Sequence, residues 1–177
     1  MRPIDILILG LASEKPRHGY DITREIVARG LRNWIRVSNV AVYKALARLE
    51  REGSLVSITQ REGKSPERSV YELTVAGRER LADLLFDQLS TSDPIRNEYF
   101  LPFEFVEVMD HNELILALER RIDSIGRILE GRRSRLQIVD DVEDEIICGV
   151  YRHEVEVYEI ELAWLEGLLG NIIGGSR

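Results

Sequence analysis

The sequence predicts a mainly α-helical chain of two domains, with one small β-hairpin in the first. Helical spacing of apolar residues recurs along most of the 177 residues. Two closely spaced β-rich runs lie at 55–59 and 69–73. The turn-rich run STSDP at 90–94 then interrupts the helical pattern. We therefore place the domains at 1–89 and 90–177.

Charge is divided unevenly between the two halves of the chain. The formal net charge is −7. Residues 1–82 hold 15 Lys and Arg against 10 Asp and Glu, whereas residues 83–177 hold 9 against 21. A net charge of +5 beside one of −12 indicates that the first half faces an anion and that the second half has another task.

Composition and motif content narrow the function classes. The lone Cys148 excludes an intramolecular disulfide and a cysteine-rich zinc site. The apolar run at 6–12 is too short to span a bilayer, so we expect a cytoplasmic protein without a membrane partner. His18, His111 and His153 are scattered outside any recognisable catalytic spacing, and the sequence has no glycine-rich phosphate loop. We expect no enzymatic activity, no metal and no cofactor.

The first domain reads as three helices, a hairpin and a fourth helix. Apolar residues predict helices over 4–13 and 20–30. Ser38 predicts the start of the third helix, because its hydroxyl can accept a hydrogen bond from an unpaired amide of the first turn. That helix runs to Glu52, and Thr74 caps the fourth helix, which extends to about residue 89.

The helix that follows Ser38 has one apolar and one basic face. Val42, Leu46 and Leu49 share the apolar face, and Lys44 and Arg51 lie on the opposite one. A basic helix followed by a hairpin with a basic tip is typical of proteins that read duplex DNA. The helix fits the major groove, and the hairpin reaches the backbone or the minor groove. The pattern predicts a winged helix-turn-helix, with the hairpin as the wing.

Ten residues are candidates for DNA contact. The first turn of the reading helix usually contacts bases, and cations further along are placed for phosphate. The set is Ser38, Asn39, Val40, Tyr43, Lys44, Arg48 and Arg51 on the helix, with Arg61, Lys64 and Arg68 on the wing. Three alternatives stay open: Tyr43 packs under the wing, Asn39 supports the cap, or the wing cations form a solvated turn.

The second domain carries two heptad seams in which spacings of three and four residues alternate. Arg132 is a polar break in the first seam, and Asp140 with Glu143 predicts the cap of the second helix. Two broad seams leave apolar surface that a second subunit would cover, so we expect a homodimer. An intramolecular helix pair is the alternative. The candidate interface residues are Ile115, Leu118, Ile122, Ile125, Leu129, Tyr151, Val155, Tyr158, Leu162, Leu165 and Leu169.

Several runs of the first domain resemble the PadR family of transcriptional regulators, in order and with the expected spacing. The residues that carry the resemblance are ILGL at 8–11, HGYDI at 18–22, Trp34, Ser38, VYKAL at 42–46, RLEREG at 48–53 and YELTVAG at 71–77. In the second half the likeness is clearest at His153-Glu154 and at AWLE, 163–166. One departure is Lys44, where many relatives have proline.

The resemblance implies a winged-helix DNA-binding domain, a helical dimerisation domain and repression from a palindromic operator. It also implies a response to a small-molecule effector. The aromatic cluster at 99–105, with Trp34 and Trp164, either lines an effector pocket or packs in a core. A winged helix that serves as a protein-interaction adaptor is the alternative function, but it predicts a neutral or acidic outer face on the third helix.

Overall fold

The computed structural model describes residues 2–60, 68–91, 98–140 and 144–175. It confirms the mainly α-helical class with a small β wing, and it divides into two compact units, Met1–Ile95 and Arg96–Arg177. The boundary predicted at 89/90 falls inside the first unit and stays a prediction. None of the described helices is long and apolar enough to cross a membrane.

The described part of the first unit follows the predicted order of elements. It runs α1 (Pro3–Glu14), β1 (Arg17–His18), α2 (Gly19–Ala28), α3 (Asn39–Arg51), β2 (Leu55–Gln60), β3 (Arg68–Leu73) and α4 (Val75–Ser90), with a 3-10 turn at Leu31–Asn33. Strand β1 is too short for a periodic signal and was not predicted. The three strands form an antiparallel sheet in the order β1-β3-β2, in which Arg17 pairs with Tyr71 and Leu55 pairs with Leu73.

The ends of α3 and α4 are built as the sequence predicts. Ser38 accepts a hydrogen bond from the amide of Ala41 at 3.2 Å, and Thr74 accepts one from the amide of Gly77 at 2.9 Å. Helix α3 ends at Arg51 and is followed by Gly53, whose φ of +75° lies in the left-handed region that favours glycine. Gly77 is required for packing, because a Cβ there would lie 2.0 Å from the backbone oxygen of Ser54.

The core of the first unit lies beneath the apolar face of α3. Val42, Leu46 and Leu49 are almost completely buried against Ile8 and Ile22. Burial of side chains of this size contributes about 1.5–3 kcal/mol each. This packing determines which side of α3 faces outward.

Four charged side chains join α1, α3 and α4 beside that core. Asp5 is buried, and both of its carboxylate oxygens pair with Arg48, one of them at 3.2 Å. Arg80 contacts Asp5 at 3.2 Å and Glu52 at 2.7 Å, and Arg48 also contacts Glu52 at 3.0 Å. Hydrogen bonds from Arg80 and Arg48 hold the pKa of Glu52 below its ordinary value.

This network disfavours the phosphate contact predicted for Arg48, which stays an untested prediction. Only 17% of its side chain is exposed, and its guanidinium is held by Asp5 and Glu52. A buried carboxylate demands a partner, whereas phosphate is available only when DNA is bound. Arg48 therefore has a structural role. Helical spacing alone did not reveal it, because the partner Asp5 lies on another helix.

The described part of the second unit is a helical hairpin preceded by a short 3-10 segment. It runs from the 3-10 segment Glu98–Val108 to α5 (His111–Asp140) and α6 (Glu145–Gly174). The predicted cap at Asp140 is wrong, since Asp140 is the last residue of α5. Asp144 caps α6 by accepting hydrogen bonds from the amides of Ile146 and Ile147, both at 3.1 Å.

Helices α5 and α6 are antiparallel, and their heptad seams pack against each other within one chain. This assigns residues that were predicted at a dimer interface to intrachain contacts. Leu118, Ile125, Leu129, Tyr151, Val155 and Leu165 are buried, and Ile115, Ile122, Tyr158, Leu162 and Leu169 are half-buried. This burial favours the intramolecular alternative, because a seam of this period satisfies a helix of the same chain as well as one of a partner. The contact of these residues with a second subunit stays a prediction.

The polar break at Arg132 has its own partner in the hairpin. Its side chain lies 3.5 Å from Glu154, and both side chains are largely buried. Arg121 contacts Glu161 at 3.0 Å, and Arg133 contacts Glu159 at 2.6 Å. These ion pairs favour one register of the two helices, because a shift by one turn would leave Arg132 and Glu154 without each other as partners.

The aromatic cluster predicted near residue 100 belongs in part to this hairpin. The rings of Phe100 and Phe103 meet Trp164 at centroid distances of 5.6 and 5.5 Å. Phe103 also packs against the core formed by Leu118, Ile125 and Leu165. These contacts favour the core-packing interpretation for Phe103. Trp34 lies in the other unit.

Replacement of Arg48 tests the charged network. In Arg48→Met, Asp5 keeps only Arg80 as a partner, and we expect the free energy of unfolding to fall by about 3 kcal/mol. Arg51→Met is the matched control, because Arg51 is exposed on the same helix and should change stability by less than about 0.5 kcal/mol. Urea unfolding measures both variants. Equal stability of the two variants would contradict a structural role for Arg48.

Candidate nucleic-acid interface

The outer face of α3 is exposed and basic. Val40 and Tyr43 are 64% and 47% exposed, and Lys44 and Arg51 are exposed beside them. The first turn of the helix carries no acidic residue. Its unpaired amides and the helix dipole add partial positive charge at the same end. The arrangement suits an anion approaching the N-terminal end of α3.

Arg32 is a candidate that the sequence did not single out. It lies in the 3-10 turn before α3, and its Nη2 donates a hydrogen bond to Oδ1 of Asn39 at 2.6 Å. Both side chains are exposed. The clue in the sequence was a pair of arginines, Arg32 and Arg36, in the loop just before the cap. Nothing in their spacing indicated which of them reaches Asn39.

Tyr43 is positioned by the start of α2. A Cβ on Gly19 would lie 2.8 Å from Cε1 of Tyr43, so the ring rests directly on the glycine. The same ring lines an open cavity of about 630 Å³ with Tyr20, Tyr71 and His18. Burial raises the pKa of the Tyr71 hydroxyl above its ordinary value. The sequence analysis left open whether Tyr43 packs against the protein or contacts DNA. The two roles are compatible, because Tyr43 packs on Gly19 and remains 47% exposed.

His18 joins two parts of the unit. It occupies the position before α2, and its Nδ1 lies 3.3 Å from the backbone oxygen of Ser69 in β3. This contact ties β1 to β3 and explains why a His-Gly-Tyr run is found at this turn. His18 connects β1 to β3, and Gly19 leaves space for the ring of Tyr43.

None of the three predicted wing residues has a side chain in the described part of the structure. Arg61 and Lys64 lie outside the described residues, and Arg68 opens β3 with its side chain outside the described part. The hairpin itself is confirmed by six pairs between β2 and β3, from Leu55 with Leu73 to Gln60 with Arg68. Wing contact with DNA stays a prediction.

The described residues form no metal-binding site. Across them, no group of three His, Cys, Asp or Glu side chains is arranged to hold a metal ion. Cys148 is buried in the helical hairpin, and its thiol donates to the backbone oxygen of Val139 at 3.3 Å. Burial raises the pKa of this thiol.

The helix-turn-helix of α2 and α3 and the hairpin define a winged helix, and the outer face of α3 is basic. Residues 8–83 match the family model described as the transcriptional regulator PadR-like family. This match spans less than half of the chain, and residues 8–83 are similar to the PadR-like family of transcriptional regulators.

One curated protein shows the same likeness. The chain is 27% identical over 113 residues to the negative transcriptional regulator PadR of Bacillus subtilis (strain 168). That match covers 64% of this chain and 62% of the relative, which is less than two thirds of the relative's length.

Solved structures share the fold along nearly the whole chain. The crystal structure of Bacillus subtilis PadR in complex with operator DNA gives a TM-score of 0.82 at 23% identity, covering 97% of this chain and 98% of that one. The structure of the same protein in complex with p-coumaric acid gives a TM-score of 0.77 at 21% identity, covering 97% and 99%. At these identities the likeness shows the fold alone.

Gly19→Ala tests the placement of Tyr43. The added methyl group has to displace the tyrosine ring, and we expect binding to duplex DNA to weaken by about 1–2 kcal/mol, roughly fivefold to thirtyfold in Kd. The control is Gly10→Ala in α1, where a Cβ meets no atom within 4 Å. Gly19→Ala should add no further loss in a Tyr43→Ala background. An additional loss there would mean that Gly19 does not act through Tyr43.

Proposed function

We propose that the chain is a sequence-specific DNA-binding repressor that binds a palindromic operator as a homodimer. The observation that carries the proposal is the outer face of α3, which is capped, exposed and free of acidic residues in its first turn. The excess of positive charge in residues 1–82 supports it. So does PadR of Bacillus subtilis, which is named a negative transcriptional regulator and was crystallised with operator DNA.

The proposed contacts divide into two kinds. Asn39, Val40, Tyr43 and Lys44 occupy the first turns of α3 and face base edges in the major groove. Ser38 contributes mainly as the cap that exposes the amides of the first turn. Four further cations are assigned to phosphate, which positions the protein without carrying base identity. They are Arg51 on the helix, and Arg61 and Lys64 on the wing, with Arg68 at the base of the wing.

Dimerisation is proposed through the outward face of α6. The seams are occupied inside the chain, but α6 carries a second apolar stripe with spacings of four, seven, three and four residues. It consists of Ile146, Val150, Val157, Ile160 and Trp164. These side chains are 40–79% exposed. A contiguous exposed apolar stripe of this length is typical of a protein interface, and a second copy would present the same stripe about a two-fold axis.

We further propose that a small-molecule effector releases the DNA. A relative with the same fold was crystallised with p-coumaric acid. A ligand that binds the DNA-free state more tightly would lower the affinity for the operator by its differential affinity for the two states. Thermal-shift screening of phenolic acids against the full chain tests this part independently of DNA binding.

A salt series separates the two kinds of DNA contact. Lys64→Ala should weaken binding to all duplexes alike and make the slope of log K against log salt shallower by about one unit per subunit, because each phosphate contact releases about one counterion. Tyr43→Ala should cost about 1–3 kcal/mol on the operator and leave binding to random duplex nearly unchanged. Lys44→Ala reports which of the two classes Lys44 belongs to.

Lys15→Ala is the matched control for this series. Lys15 lines a separate depression with Asp21 and Glu25, on a different side of α2 from Tyr43. We expect no change in affinity or in salt slope. If the wild type bound no duplex more tightly than random DNA, and the three variants changed nothing, a protein-interaction adaptor would be the better function.

Charge placed on the outer stripe of α6 tests the dimer. Val157→Glu with Ile160→Glu should yield a monomer of unchanged helicity, because a dimer would bury two unpaired carboxylates per subunit. Leu118→Glu is the contrasting variant: Leu118 is buried inside one chain, and we expect loss of helicity and a lower thermal midpoint. Light scattering and circular dichroism measure the two effects. A wild-type monomer at micromolar concentration would refute the dimer.

A further inference from the structure

We propose that Arg32 determines base specificity by holding Oδ1 of Asn39 and orienting its amide nitrogen toward the base edge, which directs Asn39 to guanine instead of adenine. The inference rests on the proposed function, since it assigns a base preference to the first residue of the reading helix. It adds a residue outside the helix to the machinery that selects the operator.

The orientation of the Asn39 amide follows from its contact with Arg32. The distance from Nη2 of Arg32 to the side chain of Asn39 is 2.6 Å. A guanidinium has donors and no acceptor, so the atom that faces it has to be Oδ1 and cannot be the amide nitrogen. The bond is assisted by the charge of the guanidinium and is stronger than a neutral one. The amide nitrogen of Asn39 is thereby directed away from Arg32.

Asn39 has no competing duty at the helix start. Ser38 supplies the cap, since its hydroxyl accepts the hydrogen bond from the amide of Ala41. The amide of Asn39 is exposed, as is Arg32. Asn39 is the first residue of α3, which is where reading helices meet base edges. The alternative that Asn39 merely supports the cap is therefore disfavoured.

Adenine and guanine present different hydrogen-bonding groups in the major groove. Adenine presents the N7 acceptor beside the N6 donor, and asparagine reads it by donating from Nδ2 and accepting at Oδ1. Guanine presents two acceptors, N7 and O6. With Oδ1 facing a cation, Asn39 offers a donor, and the nearby positive charge opposes the approach of a second donor such as adenine N6. The remaining N–H groups of Arg32 suit the second acceptor of guanine.

Selection from a random duplex library with the full chain tests the proposal. The base pair that Asn39 reads is the one whose preference disappears in Asn39→Ala. At that pair we expect the wild type to select guanine over adenine by about tenfold. In Arg32→Met the released Oδ1 can accept from adenine N6, and the preference should shift to adenine.

Arg36→Met is the matched control, because it removes the same charge from the same loop without touching Asn39. It should weaken binding to all duplexes and keep the guanine preference at that pair. A wild-type preference for adenine there, or an unchanged guanine preference in Arg32→Met, would overturn the role of Arg32. If the wild type enriched no sequence at all, the proposed function itself would fail.

Discussion

The carboxylate of Asp5 lies beneath α3, where an unpaired charge would cost several kcal/mol. Arg48 from α3 and Arg80 from α4 both reach it, and Glu52 joins the two arginines on the outer side. The ion pair also restricts the relative orientation of the two side chains, because a planar guanidinium matches a carboxylate in few orientations. The rotation of α3 about its own axis is therefore set by charge pairing at one end and by apolar packing along its inner face.

The candidate interface is a consequence of that rotation. With Leu46 and Leu49 turned inward, Tyr43 and Lys44 have to turn outward, and the cap at Ser38 directs the first-turn amides toward the same region. Gly19 then supplies the surface on which the ring of Tyr43 rests. The side chains proposed to read DNA are thus held by packing and by hydrogen bonds within the unit, which lowers the entropy that binding would cost.

In the second unit, the apolar seams of α5 and α6 pack against each other within one chain. The periodicity had favoured packing against a second subunit. A heptad pattern specifies that a helix needs a partner, and α5 and α6 of one chain meet that need first because they are joined by a short connection. The buried pair of Arg132 and Glu154 aligns them. The stripe on the other side of α6 stays exposed within the chain. The apolar residues that widened the second seam, Val150, Val157, Ile160 and Trp164 among them, belong to that stripe.

Local signals in the sequence determined most of the secondary structure and the likeness to the PadR-like family. The caps at Ser38 and Thr74, the end of α3 before Gly53, the hairpin and the long helix from His111 all depend on residues close together in the chain. Tertiary structure alone decided the role of Arg48, the pairing of the seams and the contact between Arg32 and Asn39. The physical reason is common to the three. Periodicity shows which face of a helix is apolar or charged, but the partner of that face depends on elements that are brought together only when the chain folds.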